Sequence, residues 1–109
     1  MITEIITFDI PDGMTRDEVV ASYRRSAQMW RANPGLIRKN YLYDGERRRA
    51  GGVYLWRSME AARRARGPAW VDRVRRTYGS EPTVQYFETP LEADNAIGQT
   101  IIEGEPAEV

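Results

Sequence analysis

The sequence predicts an α+β fold, a ferredoxin-like β-α-β-β-α-β unit with an antiparallel sheet and both main helices on one face. Three observations carry that expectation. Strand and helix signals follow one another in that order over residues 1–90, with no repeat, linker or low-complexity segment. The chain is 109 residues long, which suits one domain with its own core. The third strand, "AGGVYLW" at Ala50–Trp56, is apolar on both faces, whereas an ordinary half-buried strand alternates.

Residues Ile2–Ile10 read as the first strand. Ile2, Ile6, Phe8 and Ile10 share one face with Glu4, and Ile5 lies opposite with Thr3 and Thr7. "PDG" then turns the chain. "TRDE" at Thr15–Glu18 fits a capping box, with Thr15 as N-cap and Glu18 reaching back to it. Val19, Val20, Tyr23, Ala27 and Trp30 then fall on one helical stripe, and "NPG" at Asn33–Gly35 ends the helix.

The second strand is "LIRKNYLY", Leu36–Tyr43, with Leu36, Arg38, Asn40 and Leu42 on one face and Ile37, Lys39, Tyr41 and Tyr43 on the other. "DGERRR" makes a hairpin loop into the third strand. Ser58 caps a short helix over Met59–Arg66, and Pro68 starts a second over Pro68–Tyr78. The stripe Trp70, Val71, Val74 and Tyr78 faces the core, and Gly79 is the C-terminal stop. Thr83–Glu88 is the last strand, and residues 91–109 form an acidic C-terminal tail.

Composition removes whole classes of chemistry. The chain has no cysteine, hence no disulfide, thiol nucleophile or thiolate metal site. It has no histidine, hence no Ser-His-Asp triad and no imidazole ligand or base. No acid pair or oxygen-ligand cluster has the spacing of a glycosidase or of a Mg²⁺ or Ca²⁺ site. The glycines of "AGGVY" are not followed by a helix and are no phosphate loop.

Net charge is zero, but ten arginines lie between Arg47 and Arg76, and seven acids without a base lie between Glu81 and Val109. The balance favours a solvated helix face, matched in part by the acidic tail, over a nucleic-acid surface. No run of apolar residues is long enough to span a membrane. The N-terminus has no basic region and carries Glu4 and Asp9, which predicts a cytoplasmic protein. A sheet with helices on one side leaves its other face bare, and here that face is apolar too. It therefore predicts a homodimer, joined sheet to sheet.

"NPGLIRKNYLYD", "AGGVYLWRSMEAA" and "VQYFETPLEADNAI" together resemble the YdhR-like monooxygenases, within the wider dimeric α/β-barrel group of the antibiotic-biosynthesis monooxygenases. The resemblance covers most of residues 1–97. It implies a dimer whose two sheets form a barrel, with a ligand pocket between each sheet and its helices. It implies oxygenation of a small aromatic compound of quinol or anthrone type by O₂, without metal, flavin or other cofactor. The tryptophan that often ends the third strand in such enzymes matches Trp56. The absence of histidine sets the chain apart from the haem-degrading members.

Such chemistry needs an apolar cleft, a few convergent polar groups and the exclusion of water. Arg38 and Asn40 are the catalytic candidates, Arg38 to stabilise an enolate and Asn40 to donate to a carbonyl. The alternative is that they pair across the dimer. Trp30, Tyr54, Trp56 and Trp70 are the candidates for contact with an aromatic substrate, with core or interface packing as the alternative for each. Glu4 is either a buried base or, near the chain end, solvated or paired with an arginine. Lys39, the sole lysine, is expected at a strand edge or in an interface salt bridge. Two further readings stay open: a non-catalytic small-molecule-binding or stress-response module, and an isomerase or lactone-handling enzyme, on the same fold.

Overall fold

A computed structural model describes residues 1–107. The elements are β1 (Ile2–Asp9), α1 (Arg16–Arg31), β2 (Leu36–Asp44), β3 (Arg49–Trp56), α2 (Met59–Arg64), α3 (Pro68–Tyr78) and β4 (Thr83–Glu88). Three short strands follow, β5 (Leu91–Asp94), β6 (Gln99–Ile102) and β7 (Glu105–Ala107). The first four strands form one antiparallel sheet in the order β2-β3-β1-β4, which is the ferredoxin-like arrangement. Among the described residues no helix is long and apolar enough to cross a membrane.

Local chemistry places the helix ends. Thr15 Oγ1 accepts from the Glu18 amide, and the Glu18 carboxylate accepts from the Thr15 amide, so the capping box closes in both directions. Ser58 Oγ accepts from the Ala61 amide to start α2. Pro68 opens α3, and Gly79 ends it in the left-handed conformation.

The core lies between the helices and one face of the sheet. β1 contributes Ile6 and Phe8, β3 contributes Ala50, Tyr54 and Trp56, and the helices contribute Val19, Trp30, Ala62, Trp70, Val74 and Tyr78. Register fixes the faces: Glu4 pairs with Tyr54 on one side and Tyr86 on the other, and Lys39 also pairs with Tyr54. Lys39, Tyr54, Glu4 and Tyr86 therefore share the helix-facing side. Arg38, Leu55, Thr3 and Phe87 share the outer side, as do Asn40, Val53, Ile5 and Gln85.

The acidic tail is not without structure: residues 91–107 form an antiparallel meander, β5-β6-β7. Arg38 pairs with Glu92 and Asp94 of β5, so the chain leaves the sheet at the β4 edge and is tied back at the β2 edge. Phe87 and Leu42 stay exposed on the outer face.

The paired glycines of β3 serve two purposes. A Cβ on Gly51 would lie 1.9 Å from the carbonyl oxygen of Ile6 on β1. A Cβ on Gly52 would lie 2.9 Å from Lys39 Cε and 3.1 Å from a Tyr54 ring carbon. The first glycine lets two strands meet, and the second leaves room for Lys39 to lie along the inner face.

Gly51→Ala should lower unfolding free energy by about 3 kcal/mol, the upper end for an overpacked interior. Gly67→Ser, at an open position with an extended N-cap backbone, should instead raise it by up to about 1 kcal/mol. Urea midpoints of the two variants test the opposite signs.

Candidate active site

The inner face of β1 carries one charge, Glu4, with no exposed surface at all. Such a carboxylate demands a partner. It finds one in Arg66, which lies in the break between α2 and α3 and whose side chain is 8% exposed. Arg66 Nε donates to Oε2 at 2.9 Å and Nη2 to Oε1 at 2.6 Å, a two-pronged match of planar groups. Trp56 Nε1 donates to Oε1 at 2.9 Å.

Aromatic rings enclose this pair. The Arg66 guanidinium lies 4.3 Å from the Trp70 ring centre, 4.5 Å from Tyr54, 5.3 Å from Trp30 and 5.9 Å from Trp56. Tyr54 and Trp56 stack in parallel, and Trp30 meets both edge-on. Burial, followed by the Glu4 carboxylate, holds the nearby Tyr86 hydroxyl up at about 12.

Beside the box, a cleft of about 260 Å³ separates α1 and α3 above the sheet. Ser22, Arg25, Ser26 and Met29 line it from α1, and Arg73, Val74 and Thr77 from α3. Phe8, Gly51, Lys39 and Tyr54 form its floor, and Trp30 and Trp70 its shared walls with the box.

Lys39 stands on the floor of this cleft. Its Nζ lies 3.9 Å from the centre of the Tyr41 ring, 4.5 Å from Tyr54 and 4.7 Å from Trp30. Ring faces favour an ammonium. Burial opposes it more strongly, and the positive charges of Arg66 and Arg73 add to that. The Glu4 carboxylate offsets them only in part, and the amine is drawn down from 10.5 to about 7. Among the described residues no carboxylate forms a salt bridge with it.

The hydroxyls around it are committed to the scaffold. Ser26 Oγ and the Tyr41 hydroxyl are 2.7 Å apart, and Ser22 Oγ and the Tyr78 hydroxyl 2.8 Å. The Tyr23 hydroxyl donates to the Leu42 carbonyl and accepts from the Gly51 amide. Burial lifts the Tyr23 hydroxyl to about 12, and it also pushes Tyr54 far up. Lys39 is thus the cleft group with an affinity for protons matched to neutral pH.

The structure brings Trp30, Tyr54 and Trp70 together as cleft walls. Trp56 is fully buried beneath them, in the box rather than on the cleft. Arg38 and Asn40 do not join them. The register that turns Lys39 inward turns both to the outer face, where Arg38 is held by Glu92 and Asp94. Lys39 stands on β2, an edge strand of the sheet, as expected, but its side chain turns inward, where the Tyr41, Tyr54 and Trp30 rings close around Nζ, and among the described residues it forms no salt bridge. Of the alternatives for Glu4, burial and pairing with an arginine both hold.

Sequence reasoning missed Arg66 and Arg73. The signal for the first was indirect: an acid on an apolar strand face needs a cation, and Arg66 stands at the Gly-Pro break where a side chain can turn back under the helices. For the second it was positional, since Arg73 shares the face of α3 that carries Trp70, Val74 and Thr77.

A family model described as "Putative mono-oxygenase ydhR" matches residues 5–93. No curated protein matches the chain significantly. Several solved structures share its fold. SnoaB, a cofactor-independent oxygenase from Streptomyces nogalater, is 20% identical with a TM-score of 0.61, over 81% of this chain and 91% of that one. The R26S mutant of MhuD, solved with two manganese protoporphyrin IX molecules per active site, is 23% identical with a TM-score of 0.66, over 87% and 100%. An antibiotic-biosynthesis monooxygenase candidate from Deinococcus radiodurans is 15% identical with a TM-score of 0.67, over 87% and 97%.

Glu4→Gln should destabilise the fold by about 3–5 kcal/mol, since it strands a buried guanidinium. Replacing both partners, Glu4→Leu with Arg66→Met, should recover much of that loss. Denaturant unfolding of the single and double variants gives the comparison, and a fully additive double variant would contradict the pairing.

Proposed function

The chain belongs to the ydhR mono-oxygenase family, and on that premise we propose that it oxidises a small quinol- or anthrone-like aromatic compound with O₂ and no cofactor. The observation that carries this reading is the Lys39 amine, drawn down to about 7, on the floor of an aromatic cleft. A substrate that reacts with O₂ unaided must first lose a proton. Neutral Lys39 accepts it from a ring hydroxyl or an activated ring carbon. The resulting ammonium then sits beside the substrate anion, and Arg73 adds positive charge to the same space.

The substrate ring packs between Trp30, Trp70 and Tyr54, where water is scarce. Its anion passes one electron to O₂, and the two radicals join as a peroxide on the ring carbon. Lys39 returns its proton to the peroxide oxygen. The O–O bond then breaks: one oxygen stays on carbon as a carbonyl and the other leaves as water, with the carbon's remaining hydrogen lost as a proton. All electrons taken up by O₂ come from the substrate, so no external reductant enters.

We also propose a homodimer joined through the outer face of the sheet, closing the two sheets into a barrel. Ile5, Leu42, Val53 and Phe87 support it: Phe87 is 52% exposed, on a face shared with Leu55, Thr3, Asn40, Gln85 and the Arg38 that pairs with the tail. Such a face is self-complementary under two-fold symmetry.

Lys39→Met should reduce turnover of an anthrone by about 10²–10⁴-fold, the usual worth of a positioned base. For the native protein, kcat/KM should rise with pH and level off above about 7, because the base must be unprotonated. Oxygen-electrode rates across pH check both, and substrate conversion without oxygen uptake would replace this reading by an isomerase. Sedimentation at micromolar concentration should give twice the chain mass, and Phe87→Asp with Leu42→Asp should give the single mass. A native monomer would refute the dimer.

A further inference from the structure

We propose that the cleft takes an aromatic acid, a fused-ring compound whose carboxylate is held at the mouth between Arg25 and Arg73. This rests on the cleft being the substrate site, and it names the class of substrate. Three cations line the cleft, Arg25, Lys39 and Arg73, and no aspartate or glutamate does. The chain as a whole is neutral, so the absence of acid from this one place is local.

The two arginines are also left without partners of opposite charge. Six arginines find acids, Arg38, Arg47, Arg49, Arg64, Arg66 and Arg75; most of the others are exposed, and half-buried Arg48 donates to the Pro11 and Met14 carbonyls instead. Among the described residues neither Arg25 nor Arg73 forms such a pair, and Arg73 Nη1 meets only the sulfur of Met29, at 3.6 Å. Arg73 stands close enough to Lys39 to weaken its hold on a proton. Half-buried Arg73 and Lys39 repel one another, Arg25 stands exposed at the mouth, and an anion from outside relieves that repulsion.

The placement favours one geometry. Arg25 sits on the α1 lip one turn after Ser22 and beside Ser26, and Arg73 on the α3 lip one turn from both Trp70 and Thr77. A carboxylate between the lips accepts from two guanidinium forks. The ring attached to it then points down between Trp30, Trp70 and Tyr54, toward Lys39. The cleft of about 260 Å³ lies just below the usual range for drug-sized ligands, which suits a compact fused-ring acid.

The probe is 2-naphthoate, compared with methyl 2-naphthoate and with acetate, by calorimetry on the full-length protein under nitrogen. We expect the acid to bind at least ten-fold more tightly than its ester, with acetate weaker than both. Arg25→Gln and Arg73→Gln should each cut the preference for the acid over the ester several-fold, and the double variant should abolish it while leaving the thermal midpoint unchanged. Added salt should erode the preference in the native protein. An ester that binds as tightly as the acid overturns the proposal, as does a preference that survives the double variant. Acetate equal to naphthoate overturns its aromatic half. Naphthoate offers no activated ring position and O₂ is excluded, so an oxygenase failure leaves this result untouched. Conversely, oxygen uptake with neutral quinols alone sinks the acid and spares the oxygenase.

Discussion

The Glu4–Arg66 pair is the constraint on which the rest of the molecule is arranged. It joins the first strand to the break between α2 and α3, residues far apart in the chain, with neither charge able to reach bulk water. Such a pair adds little net stability compared with apolar side chains of the same volume. What it does is restrict the packing. The guanidinium plane must face the carboxylate, so the rings of Tyr54, Trp30, Trp70 and Trp56 settle around it in one way. The first three of those rings also form part of the floor and walls of the cleft. A shift of the pair would change the shape of the cavity and the field at Lys39 together.

The electrostatics of the site follow from that arrangement. Arg66 is compensated by Glu4, yet its charge still reaches Lys39, and Arg73 contributes from the other helix. Burial outweighs the attraction of three ring faces for an ammonium, and the amine becomes a base suited to neutral pH without any histidine. The aromatic residues thus have two functions, packing a core and making an apolar bed for a charge to form in. The hydroxyls of Tyr78, Tyr41 and Tyr23 are tied to Ser22, Ser26 and the β2 backbone respectively. Gly52 belongs to the same design, since a side chain there would displace the stem of Lys39.

The two faces of the sheet divide the labour. The inner face holds the box and the cleft, and the outer face holds Arg38, Asn40 and an apolar patch partly crossed by the β5 strand. The acidic tail is therefore a structural element: Glu92 and Asp94 neutralise Arg38, which lies outside the arginine-rich stretch between Arg47 and Arg76. Its three strands were illegible in the sequence because each is only three or four residues long, too short for an alternating pattern to stand out.

The sequence by itself determined the order of the elements and most of their ends. Thr15, Ser58, Pro68 and Gly79 act within one turn of themselves, so their effect needs no knowledge of the rest of the chain. It also excluded thiol and imidazole chemistry, and the unbroken apolar character of Val53–Trp56 announced two faces in need of cover. Tertiary structure alone decided which face was which. On β2 polar and apolar residues occur on both sides, so the local pattern has no preferred direction. The pairing of Lys39 with Tyr54, and of Arg38 with Leu55 past a bulge, turned the lysine inward and the arginine out. Likewise nothing local distinguishes Arg66 from the other arginines around it. Only the folded chain brings it over Glu4, because the need it meets arises sixty-two residues away.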